Sequence, residues 1–188
     1  MSEPPARRSV LRGVFNLARF RREGFAEFGD TRQAFLNSLA PLVAFPLVGG
    51  VLMLLSGGRV AVLAEMLAAL VALLGPAVIS AGLAARWQRT ELWLRYAVAF
   101  NWSQWAVPVV AVGLLIAAGF LRRAGLGEQE AAIAALFAIA AYGMSLHWFL
   151  ARHGLQLRPG QAALLVAAIN FGTVVLVLAP RVVAALLL

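Results

Sequence analysis

Cysteine and lysine are both absent from this chain of 188 residues, and only two histidines are present. Without cysteine, the chain cannot form disulfides, thiolate zinc sites, iron–sulfur clusters or covalent c-type haem. Two histidines are too few for most metal sites. No HExxH motif and no GxxxxGK[ST] loop occurs either. We therefore predict a protein that is not an enzyme and that has no catalytic residue, metal site or cofactor.

Charged residues are scarce as a class. They make up 13% of the chain, whereas apolar residues make up 62%. Soluble domains average about 25% charged and about 45–50% apolar residues. A single soluble core of this length cannot bury so much apolar surface, so the composition predicts an integral membrane protein.

Five long apolar stretches are separated by short segments that contain arginine, and they cover residues 35–56, 60–85, 96–121, 131–150 and 161–180. Glu65, near the start of the second, is the only carboxylate inside them. About 20 apolar residues suffice for a helix to cross a ~30 Å hydrocarbon core, and the alternation typical of barrel strands is missing. The pattern predicts an all-α bundle of five transmembrane helices as one domain, residues 35–188. Four prolines are expected to kink or unwind the first three spans: Pro41, Pro46, Pro76 and Pro108.

The arginines predict the orientation of the bundle. Twelve of the sixteen lie on the side of the N-terminus, and the other four are Arg59, Arg122, Arg123 and Arg181. Because positive residues are enriched in cytoplasmic segments, the N-terminus is expected inside and the C-terminus outside.

Residues 1–34 form a basic segment before the first span. Apolar side chains between positions 10 and 18 recur at helical spacing, which predicts an amphipathic helix in the inner headgroup layer. Asp30 or Thr31 is expected to cap the first span. The alternative is a solvated basic tail that only fixes the topology. The predicted contacts to anionic phospholipid are Arg7, Arg8, Arg12, Arg19, Arg21 and Arg22.

Polar residues inside the spans are candidates for a site, because such groups are costly in a membrane. Asn101 and Gln104 share one face of the third span, and Ser103 lies between them in the sequence. His147 enters the fourth span from the same side of the membrane. One hypothesis is a polar pocket open to the cytoplasm, which would bind a headgroup or small solute. The other, which we favour, is hydrogen bonding between helices, and for Asn170 in the fifth span a bond to a neighbouring helix is expected.

Two function classes remain. The leading hypothesis is a non-enzymatic scaffold, accessory subunit or lipid-organising factor, whose partners are the bilayer, anionic phospholipid and other membrane proteins or a second copy. The alternative is a small permease or channel-like carrier for an uncharged or weakly polar solute. Nucleic acid is not an expected partner, because the arginines are divided between both faces of a bilayer.

The order of several segments resembles a known layout. Residues 17–20 and 24–28 precede a first span with two prolines, and residues 94–104 and 148–152 follow later. Together they resemble small five-span bacterial inner-membrane proteins with a Yip1-like layout. That resemblance implies the fold and the number of spans only, and it implies no functional residue. The expected location is a bacterial inner membrane.

Overall fold

The structure is a computed structural model, which describes the backbone of residues 9–56 and 61–187 and the side chains of residues 9–56 and 62–179. Arg7, Arg8 and Arg59 lie outside the described residues, as does the side chain of Arg181. A short 3-10 helix, Arg22–Glu27, follows the first α-helix. The α-helices in the described part of the chain are α1 (Val10–Ala18), α2 (Arg32–Leu55), α3 (Ala61–Arg86), α4 (Thr90–Ser103), α5 (Ala106–Arg123), α6 (Glu128–Gly154) and α7 (Pro159–Leu187).

The predicted bundle of five spans is confirmed. Helices α2, α3, α6 and α7 each correspond to one predicted stretch, and α4 with α5 corresponds to the third. All five are long and apolar enough to cross a membrane. Several helix ends lie outside the apolar stretches, because charged residues such as Arg32, Arg86 and Glu128 are still helical. The protein is therefore an all-α, multi-pass membrane protein with a short helix before the first span.

The third span is broken in the middle. Gln104 and Trp105 separate α4 from α5, whereas α2 and α3 continue through their prolines. Pro108 has no N–H to donate to the carbonyl of Gln104, four residues earlier, which explains the position of the break. The whole span contains 34 residues. At 1.5 Å per residue this is about 51 Å, well beyond a ~30 Å hydrocarbon core.

The helices pack differently at the two ends of the bundle. We call the end with the N-terminal segment and the turns at 87–89 and 155–158 the basal end, and the opposite end distal. At the basal end α4 is central and contacts α1, α2, α3 and α6. Elsewhere α3 packs along α7 and α5 packs along α6. The short turn at 87–89 places α4 directly beside α3, where Trp93 Nε1 donates a hydrogen bond to Ser80 Oγ (3.0 Å).

The packed core lies in the basal half. Tyr96, Leu146, Leu150, Leu157 and Leu165 are each at most 1% exposed. The distal halves of the helices instead expose many large apolar side chains, such as those of Leu52, Leu67, Val112, Phe137 and Val175. A bilayer solvates such side chains, so this half needs little burial within the protein.

The predicted N-terminal helix is present and is docked on the bundle. Leu17 is completely buried, and the Tyr142 hydroxyl donates a hydrogen bond to the carbonyl of Ala18 (3.0 Å). Gly24 allows the 3-10 helix to approach α1 closely, since a Cβ at that position would lie 2.7 Å from the carbonyl oxygen of Gly13. Thr31 caps α2, as one of the two predicted capping residues. The division into residues 1–34 and 35–188 stays a prediction, although the two parts share one core.

Candidate functional site

Four of the five predicted polar residues line one cavity inside the bundle. Asn101, Gln104, His147 and Asn170 come from α4, the break after it, α6 and α7. The cavity has a volume of about 550 Å³ and is otherwise lined by small or apolar residues of α2, α3, α4 and α7. The structure therefore brings together side chains that the sequence could only place on separate helices.

Hydrogen bonds fix two sides of this cavity. The Asn101 amide nitrogen donates to Ser38 Oγ (2.9 Å), and that hydroxyl donates to the Phe35 carbonyl (2.7 Å). The amide nitrogen of Gln104 lies 3.4 Å from His147 Nε2. These contacts join α4 to α2, and the break after α4 to α6, as expected for hydrogen bonding between helices.

Asn170 and Ser103 make no hydrogen bond between helices in the described structure. Asn170 donates a hydrogen bond to the Val166 carbonyl of its own helix (2.8 Å), so the expected bond to a neighbouring helix is wrong. The Asn170 amide group lies one helical turn after the Val166 carbonyl, so it finds a hydrogen-bond acceptor within α7 and needs no partner helix. Ser103 is buried and does not line the cavity, and its hydroxyl oxygen makes no hydrogen bond within the described residues. A position two residues from Asn101 lies on the opposite face of a helix.

Sequence reasoning missed one polar residue of the cavity. Thr173 lines it, and its Oγ1 is buried without a hydrogen-bond partner in the described structure. The signal was the spacing of three residues from Asn170, which places both side chains on one face of α7.

The cavity does not continue to the basal end through the described residues. Tyr96, Leu146, Leu150 and Leu165 lie on its basal side, and each is fully buried. Because the helices pack most tightly there, the described residues show no opening of this cavity at the basal end, although the hypothesis of a pocket open on that side requires one. The rim includes Asn170 and Val174, which are exposed on the outer surface of α7.

A second, charged cavity lies at the basal end, with a volume of about 460 Å³. Three arginines from different parts of the chain line it: Arg22, Arg95 and Arg152. Asp30 and Glu91 also line it, and Arg95 Nη2 lies 2.6 Å from Asp30 Oδ2. Arg152 donates to a backbone carbonyl, which does not neutralise its charge. Three cations therefore face two carboxylates.

The other predicted lipid contacts lie around α1. Arg12 is 72% exposed and 3.8 Å from the Glu27 carboxylate, and Arg21 is exposed. The Arg19 guanidinium stacks over the Phe15 ring at 4.0 Å. Leu11 and Phe15 expose 83% and 56% of their surface, so this side of α1 combines apolar and basic groups.

Comparison with known proteins gives no relative. No family model, no curated protein and no solved structure matches this chain. The geometry of the two cavities and of α1 is therefore the basis for a proposed function.

Proposed function

We propose that this protein is a non-enzymatic, lipid-organising component of a bacterial inner membrane and that its basal end binds anionic phospholipid. The basal end is cytoplasmic in this proposal, so the N-terminus is inside and the C-terminus outside. The single observation that carries the proposal is the docked N-terminal segment, which holds basic and apolar side chains together at one edge of the bundle.

Because α1 is already docked, its contact with lipid costs little conformational free energy. Leu17 is buried in the bundle, whereas Leu11 and Phe15 project outward beside Arg12 and Arg19. Helices that lie in a membrane interface present such a mixture, with the apolar side chains in the acyl boundary and the arginines at the phosphates. Because the helix is already folded and held in place, binding lipid does not require it to be ordered.

The charged cavity supplies a second contact for phosphate. Arg22, Arg95 and Arg152 converge on it, and the guanidinium group can bind phosphate through two parallel hydrogen bonds. The carboxylates of Asp30 and Glu91 reduce the positive charge without cancelling it. This favours a headgroup of modest negative charge over a highly charged anion.

The remaining parts of the proposal concern partners and layout. Five spans after a basic segment agree with the Yip1-like arrangement that the sequence resembles. The exposed apolar surface of the distal half also allows contact with another membrane protein or a second copy, which is the scaffold or accessory role. These assignments are part of the proposal and add no functional residue.

The polar cavity favours a second candidate function, a small permease for an uncharged solute. It is lined by amide, imidazole and hydroxyl groups and has no carboxylate. Transport would require a path to the basal end, and buried residues such as Leu146 and Leu150 occupy that path. Lipid organisation therefore remains the better-supported function.

The experiment is lipid retention by the purified full-length protein, measured by native mass spectrometry after exchange into phosphatidylglycerol or phosphatidylcholine with the same acyl chains. The test variant is Arg21→Gln/Arg22→Gln. Each arginine near an anionic surface contributes about 1 kcal/mol, so two contribute about 2 kcal/mol, or about thirtyfold in affinity at low salt. We expect a loss of phosphatidylglycerol that shrinks as salt rises.

The matched control is Arg122→Gln/Arg123→Gln, which removes two adjacent arginines at the distal end. There Arg122 lies 3.3 Å from the Glu128 carboxylate, so a smaller effect is expected. Equal losses in the two double variants, or equal retention of both lipids by the unaltered protein, would refute the proposal.

A further inference from the structure

The intramembrane cavity holds polar groups whose hydrogen-bonding capacity is not used by the protein. Thr173 Oγ1 is buried without a partner. Asn170 bonds only to its own backbone, and His147 contacts only Gln104 among polar side chains of the described structure. At hydrocarbon depth an unsatisfied hydroxyl such as that of Thr173 is costly, and Asn170 and His147 keep unused hydrogen-bonding capacity beside it.

The depth of these groups follows from the length of α7. Asn170 lies eleven residues after the first residue of α7, Pro159. At 1.5 Å per residue this is about 17 Å along the helix, inside a hydrocarbon core of ~30 Å. Asn170 and the neighbouring Thr173 are therefore not at a headgroup layer.

The lining determines the charge of a suitable ligand. None of the cavity residues is an arginine or a carboxylate. A phosphate, carboxylate or ammonium group in this cavity would be a buried charge without a counter-ion, which costs several kcal/mol. The cavity therefore excludes the anionic lipids proposed for the basal end and favours an uncharged polar group.

A neighbouring apolar groove indicates that the ligand also carries a hydrocarbon chain. Between α6 and α7 lies an outward-facing groove of about 700 Å³, lined mostly by apolar side chains such as Met144, Val166 and Phe171. Asn170 borders both this groove and the polar cavity. A molecule that reaches the cavity past Asn170 can leave a hydrocarbon chain in the groove, where it remains in contact with the bilayer.

We propose that the cavity binds the uncharged head of an amphiphile, a hydroxyl or carbonyl group carried on a hydrocarbon tail. The head hydrogen-bonds to Asn170 and His147, and to Thr173 after rotation of its side chain, since its Oγ1 is buried against α3. The tail lies in the groove between α6 and α7. Entry is from the side, through the bilayer, since buried residues close the basal end. This site is distinct from the charged cavity and does not depend on binding there.

The test is photo-crosslinking of the full-length protein in nanodiscs, with a sixteen-carbon alcohol that carries a diazirine beside its hydroxyl group. Labelling is expected on residues 169–174 of α7 or 69–76 of α3. Unlabelled hexadecanol should compete, whereas hexadecane, palmitate and hexadecyltrimethylammonium should compete poorly. If hexadecane competes as well as hexadecanol, or if labels map only to residues 163–167, the groove binds any hydrocarbon and the proposal is wrong.

Variants of Thr173 separate a ligand contact from a structural role. Thr173→Val has nearly the same shape and removes only the hydroxyl, so labelling should fall about threefold to tenfold, and Thr173→Ser should restore it. Thermal stability should not fall in Thr173→Val, because the lost hydroxyl has no partner in the protein. Thr90→Val, an exposed threonine in the first turn of α4, is the control.

A cavity-filling variant tests the same site without removing a polar group. Ala72→Leu places three additional carbon atoms in the cavity. Labelling of the cavity residues should fall, while labelling of residues 163–167 in the groove is unchanged. Unaltered labelling in both Thr173→Val and Ala72→Leu overturns the proposal, as does an absence of any saturable labelling.

Discussion

Truncation of Leu17 tests whether the N-terminal segment is held by its apolar contacts. Leu17 is fully buried, whereas Leu11, on the same helix, is 83% exposed. Leu→Ala at a buried site costs about 2–5 kcal/mol, from lost transfer free energy and the cavity left behind. If this loss falls on docking of the segment, the undocked population rises by about thirtyfold or more, because 1.4 kcal/mol corresponds to a factor of ten.

Limited trypsin digestion measures that population. The chain has no lysine, so within the segment cleavage is confined to arginines such as Arg19, Arg21 and Arg22. When docking is fast relative to cleavage, the rate of cutting follows the undocked fraction. We expect rapid cleavage between residues 19 and 22 in Leu17→Ala and nearly unchanged cleavage in Leu11→Ala. Equal rates in the two variants would refute the reasoning, because they would show that burial of Leu17 does not hold the segment.

Three further predictions address the packing and the orientation. Gly24→Ala should lower thermal stability by about 1–3 kcal/mol, since its Cβ would meet the Gly13 carbonyl oxygen at 2.7 Å, and an unchanged midpoint would contradict that contact. Ser38→Ala should cost about 1 kcal/mol by leaving the Asn101 amide unpaired, and the effect should vanish in an Asn101→Leu background, as a double-mutant cycle in denaturant would measure. A reporter enzyme that works only outside the cytoplasm should be active when inserted in the loop at 124–127, and activity there of a reporter that works only in the cytoplasm would contradict the proposed orientation.

The spans could be predicted from the sequence because each depends on local composition. Long apolar stretches have no alternative to crossing a membrane, so five helices follow without knowledge of their neighbours. The break between α4 and α5 is harder to predict from the sequence. Four prolines occur in the first three spans, yet of these only the one at 108 lies beside an interruption, and no local pattern distinguishes it from the three that α2 and α3 accommodate.

The candidate sites could be predicted only in part. The spacing of Asn101 and Gln104 predicts a shared helix face, and in the structure both line the polar cavity, although Gln104 lies in the break after α4. The convergence of Arg22, Arg95 and Arg152 depends on how the loops and the 3-10 helix meet, and no local pattern encodes it. The position of α1 is also not encoded by a local pattern. Hydrophobic periodicity predicts an apolar face, but it does not determine whether lipid or protein covers that face.

The docking of α1 has a consequence for the order in which the molecule is assembled. The hydrogen bond from Tyr142 to Ala18 joins residues that are 124 positions apart, and Phe25 lies against Gly154. Residues 9–28 are synthesised before α6, and the surface that receives them is complete only after α6 has been made. Contacts between α1 and α4 can form once the third span is in place, but those with Tyr142 and Gly154 must wait for the fourth. Docking can therefore be completed only after α6 has been inserted, which couples this segment to the fourth span.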